Sequence, residues 1–169
     1  MVQYDLASAD LRALADRLAR LEAVEEIKQL KARYFRYVDL HWWDELRALF
    51  TDDAEFDIGE SSSQPSTPDE FIASISRHLT DAMTVHHGHM PEIEILDDTH
   101  ARGVWAMYDL VEPPSDSRFP VLTGFGHYTE DYRRIDGHWR ISRLRLTRLR
   151  RSIDGEVVEG ADVNGRRPF

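Results

Sequence analysis

Apolar residues recur every three or four positions through the first forty residues of the chain. Leu11, Leu14, Leu18 and Leu21 set the spacing, and Ile27, Leu30, Tyr34 and Tyr37 roughly continue it. That period predicts a long amphipathic helix, with Ser8 or Asp10 available to cap its start. The pattern falters at "DLHWW" and restarts as a short helix with Trp43, Leu46 and Phe50 inward. A short strand is expected at "AEFDI", then a Ser/Pro-rich loop at "GESSSQPST". The stretch "TPDEFIASISRHL" opens a third helix. Thr67 can cap it, Pro68 suits its first turn, and Glu70 completes a capping box.

Beyond this point the period changes from helical to alternating. Runs at 83–96, 100–112, 121–135 and 138–150 read as strands, and Asp136-Gly137 is a strong hairpin turn between the last two. Helices followed by a long antiparallel sheet predict an α+β fold with the helices packed on one face. A curved sheet covered in this way encloses a pocket. One domain is expected over 1–152, with a polar C-terminal tail over 153–169.

Composition narrows the function. The chain has 169 residues, enough for one domain with a real core. Its formal net charge of −10 argues against nucleic acid as a partner. With no cysteine, disulfides, thiolate catalysis and thiolate metal sites are excluded. "MVQYDLASAD" lacks the features of a secretory signal, and no stretch has the length of a membrane span. A cytoplasmic protein without membrane attachment is the expectation.

The candidate chemistry lies in polar residues on otherwise apolar faces. In "RGVWAMYDL", Gly103, Trp105, Met107 and Asp109 share one face of a strand, so Asp109 can point into a pocket. Both faces of that strand are partly apolar, and the opposite phase stays open. Leu144, Leu146 and Arg148 share a face of the last strand. Its run "RLRLTRLRR" also suits a solvated or subunit-contacting strand.

"TVHHGHMPEI" carries His86, His87 and His89. His87 and His89 share a strand face and could ligate a metal, yet no third ligand has an evident spacing, so no metal is assigned. Alternation back from Ile93 and Ile95 puts His87 and His89 inward. A bulge near Gly88 or Pro91 reverses the phase and brings His86 inward. Tyr34 and Asp39 lie about 140° apart on a regular helix and share a face only if the helix ends between them.

Four segments together resemble a known family. They are "LKARYFRYVDLHWWDELRALFTDDAEF", "TVHHGHMPEIEI", "ARGVWAMYDL" and "DYRRIDGHWRISRLRLTR". They resemble the SnoaL-like branch of the nuclear transport factor two superfamily, over about residues 20–150. Within it the chain is similar to the bile acid 7α-dehydratases and to scytalone dehydratase. The resemblance implies a cone-shaped α+β fold around a deep pocket. It implies His86 as the catalytic base, Asp109 as its partner, and Tyr34 and Asp39 as acid assistance. Arg148, His89, Trp105 and Phe125 are expected to bind substrate.

The activity so implied is that of a lyase without cofactor. It would eliminate water from a hydroxylated steroid-like, polyketide-like or aromatic compound, carried or not on a coenzyme A thioester. Imidazole titrates near neutral pH and suits the proton abstraction. An isomerase, a cyclase, a carbon–carbon lyase or a non-catalytic ligand-binding domain are the alternatives on the same residues. The resemblance also implies a homotrimer or homodimer formed through the sheet.

Overall fold

A computed structural model describes residues 8–58 and 67–158. The chain runs α1 (Ser8–Asp39), α2 (Trp43–Arg47), β1 (Phe50–Ile58), α3 (Pro68–Leu79), β2 (Met83–Ile95), β3 (His100–Glu112), β4 (Leu122–Ile135), β5 (His138–Ile153) and β6 (Glu156–Val158). The strands form one curved mixed sheet in the order β1-β5-β4-β3-β2, with β6 paired to β5. All neighbours are antiparallel except β1 and β5, which run parallel. This is the α+β arrangement the helix-then-strand order predicts, with a parallel edge that the pattern did not reveal. The Ser/Pro loop over 59–66 lies outside the described residues.

The long helix forms, but its leucine stripe does not face the core. Ala23, Ile27, Leu30, Tyr34 and Val38 are buried against the sheet. Leu11, Leu14, Leu18 and Leu21 are 52%, 55%, 54% and 68% exposed. At ~100° per residue the two sets lie on nearly opposite sides of the helix. The apparent continuity in sequence therefore hides a change of face near Glu22. The third helix begins as expected: the Thr67 side chain accepts from the Glu70 amide at 3.2 Å, with Pro68 in the first turn.

Two Asp-Gly turns close the β5 hairpins. Asp136 and Gly137 have φ of 52° and 80°, and Asp154 and Gly155 have 50° and 83°. Both turns demand two consecutive residues in the left-handed region, where Asp is tolerated and Gly is unstrained. The second turn lies in the stretch expected to be a polar tail. It returns the chain as β6, and residues 159–169 lie outside the described ones.

A charged group ties α1 to the sheet. The Lys31 and Glu130 side chains form an ion pair, and each is 0% exposed. Glu130 also accepts from the Tyr132 hydroxyl, which accepts from the Trp105 indole at 2.8 Å. The Lys31 ammonium lies 3.9 Å and 3.8 Å from the ring centroids of Tyr34 and Tyr128. Burial pushes the ammonium below the usual lysine range, and Glu130 opposes that shift. Removing one partner strands the other charge out of water. Lys31→Met is therefore expected to cost about 3–5 kcal/mol by chemical denaturation. The double change Lys31→Met with Glu130→Gln should recover more than half of that loss.

Candidate active site

The end of α1 delivers the first carboxylate. The His41 amide donates to the Val38 carbonyl at 3.1 Å, the Trp42 amide donates to the Tyr37 carbonyl at 2.9 Å, and His41 has φ 56°. This is a Schellman ending, here with His41 in the left-handed position that glycine usually fills. It stops the helix at Asp39, within its last turn. A carboxylate there sits at the negative end of the helix dipole, which disfavours it. Hydrogen bonds from β2 compensate. The Asp39 carboxylate accepts from the Thr84 hydroxyl at 2.9 Å, the His86 amide at 3.0 Å and His86 Nδ1 at 2.7 Å.

That last contact defines the imidazole. An ionised carboxylate only accepts, so in the neutral ring Nδ1 would carry the proton and Nε2 the lone pair. The His86 side chain is only 10% exposed. Its inward direction rests on a register shift in β2 between His89 and Glu92. Met90, with φ 43°, and Pro91 lie at that bulge. His86 pairs with Asp109 before it and Ile93 with Gly103 after it. The extra residue lets His86 and Ile93 face the same side despite their odd spacing.

Ala101, Gly103, Trp105, Met107 and Asp109 of β3 are all buried, so the face carrying Asp109 is the helix-covered one. Asp109 stands opposite His86 in register, but its carboxylate binds elsewhere. Arg148 Nη1 donates to Asp109 at 2.7 Å, and both side chains are buried. The expectation that Asp109 partners His86 is thus corrected. Asp39 takes that place, because the helix end brings it against the His86 amide and ring together. Gly124 of β4, in register with Asp109, makes room for the ion pair. A Cβ there would lie 1.9 Å from Arg148 Nη1 and 2.5 Å from Asp109 Oδ1.

Tyr34 is buried on the same side, 6.0 Å from the Tyr128 ring. Burial first, and Glu130 next, push its hydroxyl above the usual phenol range, against a hydrogen bond with Tyr128. Burial also pushes Tyr128 and Tyr132 well above it. Trp105 is buried there too, its indole N–H committed to Tyr132.

Two expected substrate contacts fall elsewhere. His89 and Phe125 lie on the outer face of the sheet and are exposed, Phe125 packed 5.1 Å from Tyr108. For His89 the bulge is the cause. For Phe125 it is register, since its partner Tyr108 alternates with Met107 and Asp109. His87 shares the outer face, 5.6 Å from His89 between ring centroids. Among the described residues, no three His, Asp or Glu side chains gather as metal ligands. Lys31, Glu130, Tyr128 and Gly124 were not anticipated. The alternation of residues 124, 126, 128, 130 and 132 along β4 was the available signal for most of them.

The SnoaL-like domain family matches residues 19–145. A Gibberella zeae protein named a probable cyclase is 22% identical over 138 residues, covering 76% of this chain and 92% of its own. A structure from Novosphingobium aromaticivorans, named for scytalone dehydratase, superposes with TM-score 0.76 at 21% identity, covering 88% of this chain and 97% of its own. A type 2 hexachlorocyclohexane dehydrochlorinase superposes with TM-score 0.71 at 21% identity, covering 89% and 99%. No helix among the described residues is long and apolar enough to cross a membrane.

Two measurements probe the site's packing and charge. Gly124→Ala forces a methyl into the Asp109–Arg148 pair and should lower stability by about 1–3 kcal/mol in a urea titration. The tyrosines give a pH signature. Their folded pKa lies above the unfolded value, so the unfolded chain loses protons first as pH rises past about 10. Stability should be full below that pH and fall above it, with Tyr34→Phe reducing the slope. The chain belongs to the SnoaL-like domain family.

Proposed function

We propose that this protein is a lyase that eliminates water from a small hydroxylated substrate, with Asp39 and His86 as its base. The observation that carries the reading is the 2.7 Å contact between His86 Nδ1 and Asp39 Oδ1, which leaves Nε2 as the basic atom. The names of relatives, among them dehydratase, dehydrochlorinase and cyclase, support the same class of chemistry.

In the proposed reaction His86 Nε2 takes a proton from the carbon next to the one bearing hydroxyl. The electron pair of the broken C–H bond forms the new double bond. The C–O bond breaks, and the hydroxyl leaves as water with a proton returned by the imidazolium. Asp39 stabilises the imidazolium and holds its tautomer, the role of the aspartate in a triad. Tyr34 is assigned hydrogen-bond donation and not proton loss, because its raised pKa makes it a poor acid. It would stabilise negative charge developing on a substrate oxygen. Arg148, anchored by Asp109, supplies a buried positive charge to the same region. The preferred substrates are steroid-like, polyketide-like or aromatic hydroxy compounds.

A panel of such compounds, with products followed by mass, tests the reading. Loss of the mass of water is expected. Loss of hydrogen chloride from a chlorinated compound alone, or an unchanged mass, would replace dehydration by dehydrochlorination or by isomerisation or cyclisation. On a turned-over substrate, His86→Ala should lower kcat by roughly 10²–10⁴-fold while the circular dichroism is kept. A near-normal rate in that variant removes His86 from the chemistry.

A further inference from the structure

The leucine stripe at the start of α1 has no use in the site or the core. Leu11, Leu14, Leu18 and Leu21 are each more than half exposed. They follow a 3-4-3 spacing and so fill two consecutive a and d pairs of a heptad. The stripe ends where the heptad reaches Glu25 and Lys28, which form an exposed ion pair within the chain. On the opposite side of the same helix, Ala23, Ile27 and Leu30 bury into the protein's own core. The leucines therefore point away from the body that carries them.

We infer that this stripe is a self-association seam, on which a second copy of the chain lays the same four leucines in a parallel two-stranded coiled coil. Charge chooses the partner and its direction. With Leu11 and Leu18 at a, Arg17 falls at g and Glu22 at the following e. In a parallel pair, g of one helix faces the next e of its partner, so Arg17 meets Glu22 of the other copy, twice by symmetry. An antiparallel pair instead brings Arg17 against its own copy. Two heptads are too short to order two free helices. Here the helix is already held by the burial of its second half, so association does not have to form it. The contact is independent of the sheet and of the proposed chemistry.

The absence of cysteine makes the test direct. Parallel pairing places Leu14 beside Leu14 of the other copy, so Leu14→Cys in the full chain should form an interchain disulfide under mild oxidation at micromolar concentration. Arg12→Cys, off the seam on the same helix, should form at least tenfold less. Equal cross-linking at the two positions overturns the proposal. Cross-linking that needs a mixture of Leu14→Cys and Leu18→Cys chains overturns the parallel arrangement. In sedimentation equilibrium, the double variant Leu14→Glu with Leu18→Glu should halve the wild-type mass while keeping the circular dichroism of the folded chain. An unchanged mass overturns the seam.

Discussion

A lysine with no exposed surface holds this fold in one arrangement. Lys31 lies in the C-terminal half of α1, and its ammonium is bound to Glu130 on β4. A charge removed from water is tolerable only with its partner in place. Rotating α1 by one residue, about 100°, would leave both ions unpaired. The pair therefore sets the rotation and depth of the helix, where apolar packing alone would accept neighbouring solutions. Glu130, Tyr132 and Trp105 extend the network to β3. Eight residues beyond Lys31, Asp39 then arrives opposite Thr84 and His86.

The site is bordered by two departures from regular structure. His41 adopts the left-handed region to end α1, and Met90 does so at the β2 bulge. Such a conformation costs a non-glycine residue roughly 1–2 kcal/mol and persists where its surroundings demand it. The first departure stops the helix with Asp39 beside the sheet. The second separates the phase of His86 from that of Ile93. Without the bulge, a strand that buries Ile93 and Ile95 would bury His87 and leave His86 in solvent.

The buried charges stand in pairs, Lys31 with Glu130 and Asp109 with Arg148, and the half-buried Asp39 binds His86. Asp39 holds the contact to His86 that was expected of Asp109, and Asp109 binds Arg148 instead. Asp109 is the register partner of His86, but its carboxylate accepts from Arg148, and Gly124 leaves room for that ion pair. What remains for His86 is the carboxylate at the helix end, which also holds its backbone amide and so fixes ring and strand together.

Local pattern along the chain is enough to place the elements and several of their ends. Alternation and helical period are local, so the four long strands, the Thr67 cap and the Asp136-Gly137 turn were legible from neighbours in the chain. The family motifs singled out Tyr34, Asp39, His86, Asp109 and Arg148. Tertiary structure decided the pairing among them, because Asp39 and His86 are 47 residues apart and Asp109 and Arg148 are 39 apart. It also decided which stripe of α1 is core. Hydrophobic spacing is the same for leucines that bury in their own domain and for leucines that face outward, so the period alone could not tell Leu11, Leu14, Leu18 and Leu21 from Ile27 and Leu30. The parallel pairing of β1 with β5 was equally out of reach, since an edge strand's partner is set by contacts across the whole sheet.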